Sequence, residues 1–383
     1  MMSCKYFLIV CQSSLLFSLL RNGRNTLAIT SLGCRFVHSC HNLFSQLKKT
    51  LSEMTDEQVR KATAKQSNKS WDHYVTISLP SKLDENKALN FNVHVYDTGP
   101  YEPSAKNPVV VAVHGMPGTG QDFTSLANSL HSKGIRLVAP TSLGMEKSPV
   151  DMKQLKEVDF STMGRTKALK HVLNALDINR VDLVMAHSAG AWTLYEMGAK
   201  WDNVDSLLAV NPGGATPNRC IRPYSALKFL VSIMNNSIGR FMLKPFILSA
   251  YKIQGLKDVK YGDHLVAAQN YVVNQQFENV PKNAAEIRAK SLPFVMMYAE
   301  NDKLIESSIC SDMAYQQLRI PKDNTVRFSK DSKPNRDPIF VPPGWLCRVL
   351  VFARGGHVVY LAYEDEMVQQ IQDLLKHSAV MKR

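Results

Sequence analysis

Residues 186–190 read Ala-His-Ser-Ala-Gly and close an apolar run, residues 183–186, of the kind expected of a strand buried on both faces. A helical stretch follows to about residue 200. A strand that turns at once into a helix lifts one side chain out of the sheet, and its neighbours must be small because the two backbones approach closely. The raised side chain is Ser188. Its hydroxyl is a weak nucleophile near neutral pH and needs a base within hydrogen-bond reach. An ordinary tight turn can carry the same five residues, so the reading depends on the rest of the chain. Of eleven histidines, His114 opens a His-Gly-Met-Pro-Gly stretch, His187 adjoins the serine, and His357 closes an Arg-Gly-Gly-His stretch. Asp302 follows another apolar run, residues 293–299.

Alternating strands and helices must position these residues. Residues 73–79 and 91–96 read as a strand pair, and largely apolar runs predict strands at 108–113, 135–140, 206–210 and 346–353, besides those at 183–186 and 293–299. In the second strand of that pair, Phe91, Val93 and Val95 alternate with Asn92, His94 and Tyr96, the period of a half-exposed strand. Residues 159–176 carry Met163, Leu169, Val172, Leu173 and Leu176 at helical spacing, a stripe expected to face the core. The alternation implies a largely parallel sheet. It breaks between residues 216 and 290, where no strand is evident and apolar helical stretches follow one another; this segment is expected to be an inserted helical lid. Residues 321–345 are polar, Pro-rich and longer than a routine connection. The chain therefore divides into residues 1–52, a linker or helix at 53–72, a core at 73–215 and 291–383, and the lid at 216–290.

Ser188, Asp302 and His357 come in the order Ser, Asp, His, each just past the end of an expected strand. In this the chain resembles the α/β-hydrolase family over about residues 74–375, with Ala186 where glycine is more usual. It looks closest to the lid-bearing group and resembles a little-characterised nematode branch of it. The resemblance implies an α/β fold with a mostly parallel central sheet and a Ser188–His357–Asp302 triad. His357 would accept the serine proton and return it to the leaving group, and Asp302 would hold the imidazole tautomer. The backbone N–H of Ala189 and, by family analogy, of Met116 would hold the oxyanion. His114 and Gly115 are expected to shape the loop or touch substrate, and His187 is counted with them. An acid after residue 210 is ruled out by Asn211, and Thr141 stands where many relatives have Asp. A serine at the elbow argues against the chemistry of epoxide hydrolases or dehalogenases.

Composition narrows the partners. The net charge is +13, with 46 Lys and Arg against 33 Asp and Glu. Residues 1–52 hold six basic residues and no acid, and no Arg-rich helix stands out elsewhere, so a nucleic-acid partner is not expected. The basic, acid-free, Ser- and Leu-rich composition of residues 1–52 is that of a mitochondrial transit peptide. The apolar stretch 6–20 offers a signal-peptide or membrane-anchor alternative, although it is short for a span. Cys220, Cys310 and Cys347 lack metal-ligand spacing and read as small packed residues.

These readings converge on a serine hydrolase of an ester, thioester or amide, with a lipophilic acyl group as one expected substrate and no cofactor or metal. A non-catalytic binding protein and a lyase using the same triad are the alternatives. Residues 224–253 carry Lys228, Arg240, Lys244 and Lys252 among many apolar residues; ordinary packing with solvated charges is one reading, and the lining of an acyl pocket or peripheral contact with an anionic membrane is the other.

Overall fold

A computed structural model describes residues 71–99, 107–253, 262–329 and 346–381. The expected targeting segment at 1–52, nearly all of the linker at 53–72, and residues 330–345 of the polar loop lie outside the described residues. Nine strands form one sheet in the order β1-β2-β4-β3-β5-β6-β7-β9-β8. They are β1 (Asp72–Pro80), β2 (Ala88–Asp97), β3 (Val109–Val113), β4 (Arg136–Pro140), β5 (Leu183–His187), β6 (Leu207–Val210), β7 (Phe294–Ala299), β8 (Thr325–Phe328) and β9 (Cys347–Phe352). β1 pairs antiparallel with β2 and β2 with β4; every other pairing is parallel.

The central strands are short, aliphatic and buried on both faces, as a helix-covered parallel sheet requires. On one face Val110, Ala112, Leu183, Met185, Leu208 and Val210 join a cluster with α1 (Thr124–His131) and α8 (Glu364–Met381) through Leu126, Leu130, Ile371 and Leu374. α2 (Thr162–Ala175), α3 (Ala191–Lys200) and α7 (Asn279–Ala289) pack against one another in that order. The edge hairpin departs from the half-exposed pattern. Alternation holds from Ala88 to Val93, but β2 is buried on both faces from His94 onward, because His94 is fixed between Asp72 (2.5 Å) and Thr141 Oγ1 (2.8 Å).

Three other expectations change. The stripe on α2 is rotated at its start: Met163 is 47% exposed, while Arg165 and Thr166 are buried in the place an apolar residue was expected to fill. The polar loop is not structureless, since β8 forms the sheet edge beside β9 through Val326 and Phe328. The helical segment 216–290 also divides. Among the described residues, 219–253 belong to one compact unit, whereas α6 (Asp263–Val273) and α7 belong to the unit that contains the sheet. The apolar faces of α6 and α7, among them Leu265, Val266, Ala284 and Ile287, are fully buried. In the first unit, α4 (Tyr224–Met234) and α5 (Ser237–Ile253, with Pro245 inside) pack on each other, and Asn236 Oδ1 accepts from Gly239 N–H (2.7 Å) at the turn. No helix among the described residues is long and apolar enough to cross a membrane.

Candidate active site

The sheet reverses its strand order between β3 and β5, and in open α/β sheets ligands bind beyond the carboxyl ends of the strands at such a point. Val113 and Ala186 are register partners, so the loops that begin with His114 and His187 leave the sheet side by side. Ser188 follows with φ +56°, a left-handed conformation that costs free energy for any residue with a Cβ and that the surrounding packing must hold. The turn closes only because Gly190 is a glycine. A Cβ there would sit 2.4 Å from the Val113 carbonyl oxygen.

Ser188 Oγ lies 2.9 Å from His357 Nε2, and His357 Nδ1 lies 2.8 Å from Asp302 Oδ2. The Nδ1–H donates to the carboxylate, which leaves Nε2 to accept the serine proton. Asp302 Oδ1 accepts from the N–H groups of Leu304 (2.7 Å) and Ile305 (3.2 Å). Burial raises the cost of the Asp302 charge, but the imidazole and these two N–H donors outweigh it and hold the carboxyl below its ordinary range. The three residues named from the sequence are thus brought into one hydrogen-bonded line.

Three side chains brace the histidine loop, and two of them, Asn211 and Asn301, carry no motif that would announce the role. Asn211, buried at φ +41°, donates from Nδ2 to the Gly356 carbonyl (2.7 Å) and accepts at Oδ1 from Ala299 N–H (2.9 Å). Asn301 Oδ1 accepts from Gly356 N–H (2.8 Å). His187 donates from Nε2 to the His357 carbonyl (2.7 Å), and its ring lies 4.7 Å from the His357 ring. His187 is therefore turned toward the histidine loop, not toward open space. His114 is fully buried: Nδ1 donates to the Gly115 carbonyl (2.7 Å) and Nε2 accepts from Ser142 N–H (2.9 Å). With both nitrogens taken by backbone it shapes the loop and has no polar atom left for a substrate. Gly115 packs against the nucleophile, where a Cβ would meet Ser188 Cβ at 3.0 Å. Thr141 accepts from Gly120 N–H (3.0 Å), tying the same loop to the end of β4.

Met116 and Ala189, the expected oxyanion donors, line one small cavity together with Arg165, Trp192, Thr193 and Tyr271. Arg165 is the residue that sequence periodicity missed. Its guanidinium donates to Ser142 Oγ (2.9 Å), the His114 carbonyl (2.7 Å) and the Ala189 carbonyl (3.4 Å), and lies 5.6 Å from the Tyr271 ring centre. Burial pulls its pKa down to about 10, so it remains a cation at neutral pH. Among the described residues no group of three or more His, Cys, Asp or Glu is gathered as a metal would need.

Residues 79–326 match the family model described as Alpha/beta hydrolase of unknown function (DUF1057). The chain belongs to this α/β-hydrolase family. A Caenorhabditis elegans protein, Uncharacterized protein F35H12.5, is 22% identical over 217 residues, which cover 54% of this chain and 59% of the nematode protein. The chain thus spans about six-tenths of the length of that curated relative. Among solved structures, an esterase from Thermogutta terrifontis with malate bound superposes with a TM-score of 0.54 at 14% identity, covering 80% of this α/β hydrolase and 99% of the esterase. An esterase from Exiguobacterium antarcticum gives 0.50 at 15% identity, covering 78% and 99%. At these identities the likeness establishes the α/β-hydrolase fold alone.

Proposed function

We propose that this α/β hydrolase is a serine hydrolase that cleaves a carboxylic ester, thioester or amide through an acyl-enzyme. The observation that carries the reading is the continuous line from Ser188 Oγ through His357 to Asp302, at 2.9 and 2.8 Å, on a serine held at positive φ. Ser188 attacks the carbonyl carbon as its proton passes to His357 Nε2. The resulting imidazolium faces the Asp302 carboxylate. The carbonyl oxygen takes up the negative charge beside the N–H groups of Met116 and Ala189, each worth about 3 kcal/mol of barrier. His357 then protonates the leaving group, and water repeats the sequence on the acyl-enzyme.

A fluorophosphonate probe and a short soluble ester test this. Wild-type protein should be labelled and Ser188→Ala should not. Ser188→Ala and His357→Ala should each lose at least a thousandfold in kcat, and the double variant should be little worse than either, because the residues act as a unit. A folded wild-type chain that is never labelled would instead point to a binding protein.

A further inference from the structure

A second line of carboxylate, imidazole and hydroxyl runs through the edge of the sheet. His94 is fully buried in β2, with Nε2 2.5 Å from Asp72 Oδ1 and Nδ1 2.8 Å from Thr141 Oγ1. Burial holds the His94 pKa below its ordinary value, so the ring is neutral at pH 7. A neutral ring has one donor and one acceptor, and a carboxylate only accepts. His94 Nε2–H therefore donates to Asp72, and the Thr141 hydroxyl donates to Nδ1. That hydroxyl in turn accepts from Gly120 N–H (3.0 Å). The likeness to a catalytic triad ends there. Thr141 is fully buried and its hydroxyl is engaged as both donor and acceptor, so it cannot attack a substrate.

The line ends on the loop that starts at His114 and carries Met116. Gly120 closes that loop, and beside it Gln121 Nε2 donates to both Asp72 oxygens (2.9 and 2.7 Å). One carboxylate thus holds two successive residues, Gly120 through His94 and Thr141 and Gln121 directly. The loop lies tight on the end of β4 at this point, where a Cβ on Gly120 would sit 1.9 Å from the Ala139 carbonyl oxygen. At the other end of the loop, His114 Nδ1 donates to the Gly115 carbonyl (2.7 Å), and Ser142, next to Thr141, donates its N–H to His114 Nε2 (2.9 Å). The Gly115–Met116 peptide is trans, and across a trans peptide the C=O and the N–H point in opposite directions. Pinning the Gly115 carbonyl to the buried ring therefore turns Met116 N–H away from that ring. Among the described residues, none accepts from this N–H.

We propose that Asp72, His94 and Thr141 are positioning residues for Met116, holding the far end of its loop so that its N–H stays aimed at the developing oxyanion. The inference rests on Ser188 as the nucleophile and Met116 as an oxyanion donor. Such a donor acts mainly in the transition state, so misaiming it lowers kcat and leaves KM nearly unchanged.

The test uses the full chain with a short soluble ester and with a trifluoromethyl ketone, to which Ser188 adds to form a hemiketal oxyanion. Thr141→Val keeps the shape of the side chain and removes its hydroxyl. It should lower kcat roughly ten- to a hundredfold with KM within about twofold of wild type, and weaken the ketone by the same factor as kcat. Thr141→Ser, which keeps the hydroxyl, should restore most of both. Asp72 stands at the open end of the line, its side chain 21% exposed, so Asp72→Ala serves even if Thr141→Val does not fold. It should lower kcat and ketone affinity together, by about tenfold, at nearly unchanged KM. Wild-type kcat and ketone affinity in folded Thr141→Val or Asp72→Ala would overturn the proposal, as would a Thr141→Ser variant no better than Thr141→Val. Wild-type protein that neither turns over the ester nor binds the ketone would instead remove Ser188 as the nucleophile, and the donor's role with it.

Discussion

Two histidines beside the nucleophile are kept neutral by their surroundings. Burial, with Arg165 next in effect, pulls the His114 pKa down to about 3; burial and the neighbouring His357 do the same for His187. An unfolded histidine titrates near 6.5, so below that pH the unfolded chain binds protons that the folded chain refuses. The contribution is therefore intact above pH 6.5 and is lost as pH falls from 6.5 toward 3. At pH 5 each histidine should cost about 2 kcal/mol of stability by this linkage. Denaturant unfolding at pH 7 and pH 5 measures it. His187→Gln, which keeps a donor for the His357 carbonyl, should show an acid loss smaller by about 2 kcal/mol than wild type, and an unchanged difference would show that His187 is not held neutral.

Loops from different strands reach the site, and what joins them is polar. Asn211 bridges β7 to the glycine before His357, so its side chain couples the acid-bearing strand to the base-bearing loop. Asn211→Ala strands a buried N–H and a carbonyl, at about 1–3 kcal/mol each. It should also cut kcat ten- to a hundredfold with little change in KM, because a base displaced by about 1 Å costs rate more than binding. Thermal unfolding together with steady-state kinetics on a short ester checks both, and a stability loss at unchanged kcat would confine Asn211 to folding. This polar layer also marks what the sequence made legible. The strands that lead to Ser188, Asp302 and His357 are apolar runs, broken only by Arg348 in β9, and their ends announce the three residues. Arg165 was hidden because apolar periodicity counts only apolar residues, and Met163, which looks like a core position, faces outward instead. β8 was hidden in a polar stretch because a four-residue edge strand needs only Val326 and Phe328 to pair. Helical patterns likewise give no hint that α6 and α7 part company with α4 and α5, since a helix does not name the surface it will meet.

The charge of the whole molecule is not spread over it. Residues 1–52 carry six basic residues and no acid, residues 206–257 carry seven and no acid, and the remaining 33 basic residues match the 33 acidic ones. Within the second block, α5 exposes Ile238 (73%), Phe241 (82%), Met242 and Phe246 along one stripe, and α4 exposes Phe229. Arg240 and Lys244 interrupt the stripe and Lys228 precedes Phe229. Exposed apolar side chains among basic ones suit contact with an anionic bilayer surface, each basic side chain contributing about 1 kcal/mol within a Debye length. The full chain should therefore sediment with vesicles of phosphatidylglycerol and phosphatidylcholine more than with phosphatidylcholine alone, and salt should weaken it. Phe241→Ser with Lys228→Gln, Arg240→Gln and Lys244→Gln should reduce adsorption at least tenfold while hydrolysis of a soluble ester persists. Residues 6–20 are common to both proteins, so the difference between them reports on α4 and α5. Equal adsorption of the two, or equal adsorption to neutral and anionic vesicles, would place the membrane contact elsewhere or remove it.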